Sequence, residues 1–410
     1  MRLLLTVGIL ISCLNASGQF RHPAISFEDT GYSVGLHGRY QVSSNSISSN
    51  IIWKAFQGQF LDRKLREQAS NRMFANNGLG VDLDFGVYAR HLPDSSKGIG
   101  WYLDVADRTH ASGGFTKDLF DLAMFGNAMF ADKTAQLADL NLLFLTYKQY
   151  EGGVLKTFDL SEGKLHFGLG VSLLTGKRNL TVEIGKAELY THPDGEYLDG
   201  TVNGTVRNAS LTSGQYFDAN GLGFSGALSL AFESEKFGVR FDADDLGFIR
   251  WNNKLNETEI DSTFRFEGVD INLLGGDGFA SISLDSVVDG LLTEKQAAPF
   301  STILPGRLRL EGFYRVNDKD VRVYAGIQYR IANGYVPYGY VGCSAPLPKG
   351  FFIDGRVAYG GFGSFHLGLE VRKRFAEVFE IRLGSNNLDG YVLPMVGTTQ
   401  SAYISLAGFF

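Results

Sequence analysis

The stretch that decides the fold runs from residue 307 to residue 331: Arg307-Leu308-Arg309-Leu310-Glu311-Gly312-Phe313-Tyr314-Arg315-Val316, then Asn317-Asp318-Lys319-Asp320, then Val321-Arg322-Val323-Tyr324-Ala325-Gly326-Ile327-Gln328-Tyr329-Arg330-Ile331. Leu308, Leu310, Gly312, Tyr314 and Val316 fall on one face of the first arm, and Arg307, Arg309, Glu311, Phe313 and Arg315 on the other. In the second arm Val321, Val323, Ala325, Ile327, Tyr329 and Ile331 oppose Arg322, Tyr324, Gly326, Gln328 and Arg330. Period-two alternation is the strand signal, and the polar tetrapeptide between the arms is a turn. Asn333-Gly334 follows, the dipeptide typical of a two-residue type I′ hairpin. One face of the hairpin is apolar throughout and the other is charged. A wall with lipid on one side and a polar lumen on the other needs that pattern.

The pattern recurs outward from this hairpin. Val81, Leu83, Phe85, Val87 and Ala89 oppose Asp82, Asp84, Tyr88 and Arg90. Leu165, Phe167, Leu169, Val171 and Leu173 oppose His166, Gly168, Gly170 and Ser172, and Leu222 to Phe232, then Ile353 to Tyr359 and Phe365 to Val371, repeat it. The chain reads as all-β: a closed antiparallel transmembrane β-barrel of about 14 strands, within about 12 to 16, with even counts preferred. Short turns would face the periplasm and long connections the outside.

The chain's ends agree with export. Met1-Arg2 is a positive n-region, Leu3 to Leu14 an apolar h-region and Ala16-Ser17-Gly18 a small-residue cleavage site. Residues 1–18 are therefore expected to be a cleaved signal peptide and 19–410 a single barrel domain. Leu10-Ile11-Ser12-Cys13 also fits a lipobox, with Cys13 as the lipidated residue; ordinary cleavage is preferred because the segment before Cys13 is short. Cleavage would leave Cys343 alone, so the mature chain would carry no internal disulfide. At the other end, Ala402, Ile404, Leu406, Gly408 and Phe410 form an apolar face. This tail resembles the C-terminal signal by which outer-membrane proteins engage the barrel-assembly machinery, with Tyr403, Phe409 and Phe410 as its aromatic residues.

Composition points the same way. Gly 51, Phe 32 and Tyr 18 against Pro 9 in 410 residues suits lipid contact and interfacial girdles. A mean hydropathy of -0.04 is the average of an apolar outside and a polar inside. A net charge of -6 argues against a nucleic-acid partner. The expected surroundings are outer-membrane lipid and, during biogenesis, the assembly machinery.

Three segments break the strand period. Residues 50–73 carry Ile52, Phe56 and Phe60 with the basic cluster Arg63, Lys64 and Arg66, and 117–138 carry Leu119, Leu122, Met124 and Phe125 at helical spacing. Phe279 to Leu292 is a third. Helical backbone cannot face lipid beside open strands, so these segments are expected inside the lumen or beyond the bilayer, as a plug or as rim helices.

No catalytic or metal constellation stands out, and no cofactor is expected. The seven histidines are scattered, with no His-Glu-x-x-His, and Gly275 to Gly278 reads as a lone loop rather than a calcium repeat. Asp104, Arg108, Arg240, Asp242, Asp244, Arg309, Glu311, Arg322, Arg330, Arg356, Glu370, Arg372 and Arg382 fall on inward faces. Charges of both signs in a confined lumen pair with one another, because an unpaired buried charge is costly.

Several strings carry a family resemblance. They are Tyr32 to Asn50 with Ser43-Ser44-Asn45-Ser46, Phe60-Leu61-Asp62, Asn76-Asn77-Gly78, Trp101-Tyr102-Leu103-Asp104-Val105-Ala106-Asp107-Arg108, Gly126-Asn127-Ala128-Met129-Phe130, Tyr359-Gly360-Gly361-Phe362-Gly363 and Leu383 to Gly390. Over the whole mature chain the sequence resembles an uncharacterised Bacteroidota family of exported proteins, which is similar in turn to long-chain fatty-acid transporter (FadL-like) barrels. The resemblance implies residence in the outer membrane of a Gram-negative bacterium and carries no chemistry with it.

Two functions are then in view. In the first, the barrel passes a hydrophobic or amphipathic small molecule through a gated lumen. Phe56, Phe60, Leu119, Leu122 and Phe125 would be its apolar lining, and Asp104, Arg108, Arg309, Glu311, Arg330 and Arg356 its polar lining. In the second, the lumen stays plugged and the barrel docks secreted or surface proteins. A barrel enzyme such as a lipase would need a Ser-His-Asp set that the sequence does not offer, so the chain is not expected to be an enzyme.

Overall fold

A computed structural model describes residues 24–27, 29–94, 96–209, 219–267, 293–316, 321–376 and 378–410. The expected signal peptide with Cys13, the turn Asn317 to Asp320, the loop Gly275 to Gly278 and the helix candidate Phe279 to Leu292 lie outside these residues.

The strands are β1 (Gly31–Ser44), β2 (Asn76–Leu92), β3 (Gly100–Thr116), β4 (Lys133–Gln136), β5 (Leu140–Leu160), β6 (Gly163–Thr191), β7 (Leu198–Ala209), β8 (Gly221–Glu233) and β9 (Phe237–Trp251). They continue as β10 (Leu255–Phe266), β11 (Thr293–Gln296), β12 (Phe300–Ile303), β13 (Arg307–Arg315), β14 (Arg322–Arg330) and β15 (Val336–Leu347). The last are β16 (Phe351–Gly361), β17 (Phe365–Phe375), β18 (Phe379–Ser385) and β19 (Thr399–Phe409). Antiparallel pairing runs β1-β2-β3-β5-β6-β8-β9-β13, then through β14 to β19, and β19 returns to β1. Fourteen strands thus close a barrel. Closure is explicit in the register, with Val34 opposite Gly408 and Val42 opposite Gln400. No ladder edge is left in the wall, as lipid requires.

The outward faces are the apolar ones read from the sequence. Phe85, Val171, Phe224, Leu310, Ile327 and Tyr359 are exposed, and their strand neighbours Asp84, Ser172, Ser225, Arg309, Gln328 and Ala358 are buried. The connections β5–β6, β8–β9, β15–β16 and β17–β18 are short and share one end with the start of β1 and the end of β19; the long connections spanning 45–75, 117–139, 177–220, 252–306 and 386–398 share the other. That asymmetry marks the short-turn end as periplasmic. Tyr32, Trp101, Phe158, Phe237, Tyr314, Phe351, Phe375, Phe379 and Phe410 ring it with exposed aromatics, the girdle expected at a bilayer interface. Among the described residues no helix is long and apolar enough to cross a membrane; the crossing is made by strands.

Beyond the wall, β6 outruns β8 and turns to pair with β7 through Asn179 to Thr191, and β7 pairs with β10, β10 with β11. These strands, with β4 on β6 and β12 on β9, build a sheet that extends the barrel at its outer end.

Three sequence expectations change. Helices form at α1 (Ser49–Phe56), α2 (Arg63–Ser70) and α3 (Lys117–Phe125), where Asp62 and Thr116 cap α2 and α3 by accepting the Leu65 and Leu119 N–H groups at 2.8 and 3.2 Å. They are rim helices in outer connections, packed on one another through Ile51, Leu65, Ala69, Met73 and Phe120, and are not a lumen plug. The 117–138 segment is helical only to Phe130, because Lys133 to Gln136 pair with β6. Asn333-Gly334 does not form a type I′ turn: positive φ occurs at Gly334 (φ 76) and not at Asn333. The connection spans Ile331 to Tyr335 because the Ile331 N–H bonds to Gly306 instead of across the hairpin.

Candidate functional site

The candidate site is the lumen, and it is filled in three layers. The periplasmic layer is built on residues 24–29, which the sequence did not mark. Ala24 and Ile25 are buried in a cluster with Tyr88, Leu92, Tyr102, Leu155, Ala227, Ala407 and Phe409, and Phe27 packs against it. The Phe27 ring also lies 4.8 Å from the His166 ring. Wall arginines hold the backbone of this segment: Arg90 donates to the Ser26 carbonyl at 2.8 Å and Arg240 to the Ile25 carbonyl at 3.0 Å. Arg374 pairs with Asp29. Beside the segment lies an open vestibule of about 1070 Å³ lined by charges of both signs, among them Lys164, Glu233, Arg315 and Glu380.

The middle layer is ionic. Arg108 donates to Asp245 at 2.6 Å and lies 3.6 Å from Asp84, which also receives Arg39 at 3.4 Å. Arg330 crosses to Asp82 with two bonds of 2.5 and 2.8 Å, and His110 meets the same carboxylate at 2.9 Å. Gln149 links Asp245 (3.2 Å) to Glu151 (2.9 Å), and Tyr102 donates to Glu151 at 2.7 Å, which joins this layer to the periplasmic one. His37 and Asp104 pair at 3.0 Å with both side chains fully buried. On the far wall Tyr340 donates to Glu311 at 2.8 Å, Tyr403 to Glu370 at 2.7 Å and Tyr324 to Asp354 at 3.1 Å. Arg309 lies 3.9 Å from Asp242, and Arg356 bonds Asn386. Phenol-to-carboxylate and bidentate arginine bonds are the strong charge-assisted kind; the Arg330–Asp82 and Arg108–Asp245 pairs cross the lumen, and the tyrosine bonds brace strands one or two places apart in the wall. A void of about 40 Å³ lies in this layer beside Asp82, Arg330 and His366.

The outer layer is apolar: Leu145, Tyr147, Leu174, Ile249, Trp251, Leu255 and Leu304 form one buried cluster where the extension meets the mouth. The Trp251 indole donates to Thr302 at 3.0 Å.

The residues expected to line the lumen divide cleanly. Asp104, Arg108, Arg309, Glu311, Arg330 and Arg356 are buried inside the barrel. Phe56 and Phe60 are not lining at all; they are 83% and 80% exposed, because α1 ends and the chain turns away from the mouth. Leu119 and Leu122 are half-buried in the rim helices, and Phe125 sits under Arg66, whose guanidinium carbon is 5.6 Å from the ring centroid. Of the tail aromatics, Tyr403 and Phe409 point inward and Phe410 outward. Sequence alternation missed Asp245. A bulge with positive φ at Asp245 (φ 59) turns two consecutive carboxylates inward, and no periodic reading anticipates it. Among the described residues no group of three or more His, Cys, Asp or Glu could hold a metal ion.

Known structures resemble the chain at low identity. The P. putida toluene transporter TodX matches with a TM-score of 0.44 at 11% identity, over 95% of this chain and 93% of that one. The Ralstonia pickettii toluene transporter TbuX matches with a TM-score of 0.44 at 9% identity, over 93% and 90%. A Pseudomonas aeruginosa FadL homologue matches with a TM-score of 0.40 at 10% identity, over 92% and 89%. No curated protein matches the sequence. A family profile covers residues 23–378, and the chain belongs to that family, the Family of unknown function (DUF5723).

Proposed function

We propose that the protein is an outer-membrane barrel with a closed lumen that serves as a membrane-held docking platform for secreted or surface proteins. The carrying observation is the ionic layer, which joins opposite walls through the Arg330–Asp82 and Arg108–Asp245 pairs, with a void of about 40 Å³ beside Asp82 and Arg330. Opening an axial path would separate buried ion pairs, each of which costs about 3–5 kcal/mol when one partner is lost. The outer end supplies a contact surface. Phe56, Phe60 and Phe74 stand exposed, and so do Val392, Leu393 and Val396 of the 386–398 connection. The two groups are tied together, since Asn50 and Ser49 of α1 donate to the Pro394 and Gly397 carbonyls at 3.0 and 2.8 Å. Exposed apolar side chains gathered at one end of a protein are a usual mark of a protein contact.

The test has two arms. Single barrels in planar bilayers are expected to show no conductance steps, and a photocrosslinker at Phe56 or Val392 is expected to capture a protein in intact cells. Stable conductance steps in the unaltered protein would sink the reading. A second reading, gated uptake of a hydrophobic or amphipathic molecule, draws support from the vestibule beside residues 24–29. It requires those residues to leave and the ionic layer to part.

A further inference from the structure

We infer that the protein docked on the apolar crown is itself held in the outer leaflet, and that it meets Trp53, Phe56, Val392 and Met395 from the side of the barrel with an apolar face flanked by carboxylates. This presupposes the docking reading and adds where the partner resides and what its surface carries. Gln400 fixes the position of the contact surface. On β19, Ser401 and Tyr403 are buried toward the lumen and Ile404 is exposed, so strand parity sends Gln400 outward with Ala402 and Ile404. Gln400 is nevertheless only 6% exposed. Two elements cover it. The Trp53 indole of α1 donates to its side-chain carbonyl, and its amide donates to the Gly390 carbonyl of the short helix Asp389–Val392 at 2.7 Å. This part of the crown lies against the outer side of the wall.

Its height follows from the same strand. Phe410 stands in the exposed aromatic ring at the periplasmic end, and Gln400 lies ten residues before it. Ten strand residues at a tilt of about 40° climb about 25 Å, the height of the apolar band of such a barrel. Gln400 and the side chains over it therefore sit at the outer boundary of the bilayer's apolar core. The surface there is one piece. The Trp53 and Phe56 rings meet edge to face with centroids 6.0 Å apart. Asn50 of α1 ties on the neighbouring loop, its N–H donating to the Pro394 carbonyl at 3.0 Å and its amide to the Met395 sulfur at 3.2 Å. Arg72 donates to the Met395 carbonyl. Phe56, Val392, Leu393, Met395 and Val396 are exposed around these bonds.

Charge selects the partner's surface. Lys54 of α1 and Arg72 flank the apolar side chains, and neither forms an ion pair among the described residues. α1 and residues 386–398 contain one carboxylate, Asp389, which is buried and accepts from the Leu367 N–H at 3.0 Å. Two cations beside an apolar surface that exposes no carboxylate of its own are matched by carboxylates on the partner. Height selects how the partner arrives. A surface at the bilayer boundary is reached along the membrane plane, by a protein anchored there through lipid or through its own barrel. Confinement to the same leaflet also raises that protein's effective concentration.

The test places a photocrosslinker at Met395 or Val392 of the full chain in intact cells. Mass spectrometry identifies the adduct, and the free form of the captured protein is followed through cell fractionation. The expected adduct is a protein whose free form stays with the outer membrane after alkaline carbonate washing. Lys54→Glu with Arg72→Glu is expected to lower its capture about tenfold, and Lys133→Glu on an exposed strand of the outer extension to leave it unchanged. A captured protein whose free form washes off overturns the membrane-held partner and leaves the docking reading standing. Adducts to lipid alone overturn both. A double variant that captures as well as the unaltered protein overturns the partner's carboxylates. Arg72 also holds the Met395 carbonyl, so Lys54→Glu alone, expected to lower capture about threefold, separates lost attraction from a displaced loop. Normal heat-modifiability of each variant barrel excludes misfolding as the cause.

Discussion

Arg330 reaches from β14 to Asp82 on β2, 248 positions earlier in the chain. Alternation alone put both residues on the inner face, so their burial was legible. Their pairing was not, because it depends on how the barrel closes, and strand period says nothing about which walls face each other. Both residues are buried, so removing one member strands the other. Arg330→Met is expected to lower stability by about 3–5 kcal/mol, measured as urea unfolding in lipid vesicles. Arg330→Met with Asp82→Asn should recover more than half of that loss; a double variant as unstable as the single one would show that the guanidinium acts through packing alone. Tyr102 makes a second case. Its ring lies across Gly153 and Gly170 on the neighbouring strands to reach Glu151. A side chain at position 170 would overlap that ring, so Gly170→Val is expected to destabilise the barrel by about 1–3 kcal/mol in the same assay. Abundant glycine was visible in the sequence; which glycine lies beneath which tyrosine was not.

At the scale of elements, the strands were legible and the plug was not. Residues 50–73 and 117–138 showed helical spacing, and helices did form there, yet they cover the rim. The segment that does enter the barrel is Ala24 to Asp29, too short to show any period. What holds it is two apolar side chains, Ile25 and Phe27, and backbone carbonyls that accept from Arg90 and Arg240. Burying a side chain such as Ile or Phe contributes about 1.5–3 kcal/mol, so Ile25→Asp with Phe27→Asp is expected to expel the segment. Protease added to the periplasmic face should then cut near residue 27 at least about tenfold faster, while unfolding of the wall itself stays within about 1 kcal/mol of the original. An unchanged cutting rate would mean that the arginines hold the segment without its side chains. The bulge at Asp245 and a second in β6, where Tyr147 pairs with Gly176 and Thr146 with Arg178 so that Lys177 is an extra residue, belong to the same lesson. Each adds one residue to a strand and reverses the faces beyond it, which a fixed period cannot foresee.

For the whole molecule, the even strand count, the shared end at which β1 starts and β19 finishes, and the contrast between short turns and long connections agree on one orientation. The closed lumen then separates the two functional readings by where the seal resides. If the seal were a single movable element, deleting that element would open the barrel. The structure distributes it over three layers anchored to different strands: residues 24–29 at the periplasmic end, the Arg39, Asp84, Arg108 and Asp245 group in the middle, and the Leu174, Ile249 and Trp251 cluster outside. Deleting residues 49–73 removes rim helices that lie above all three, and deleting 24–29 removes only the first. Each deletion is therefore expected to leave single barrels non-conducting in planar bilayers, with the 49–73 deletion also abolishing crosslinks from Val392 if the apolar crown is the docking surface. Conductance steps after loss of residues 24–29 would locate the seal in that segment and favour gated uptake. Silence in both deletions, together with loss of the captured protein in the first, is the outcome that a closed platform requires, because the ionic middle layer and the outer apolar cluster remain in both.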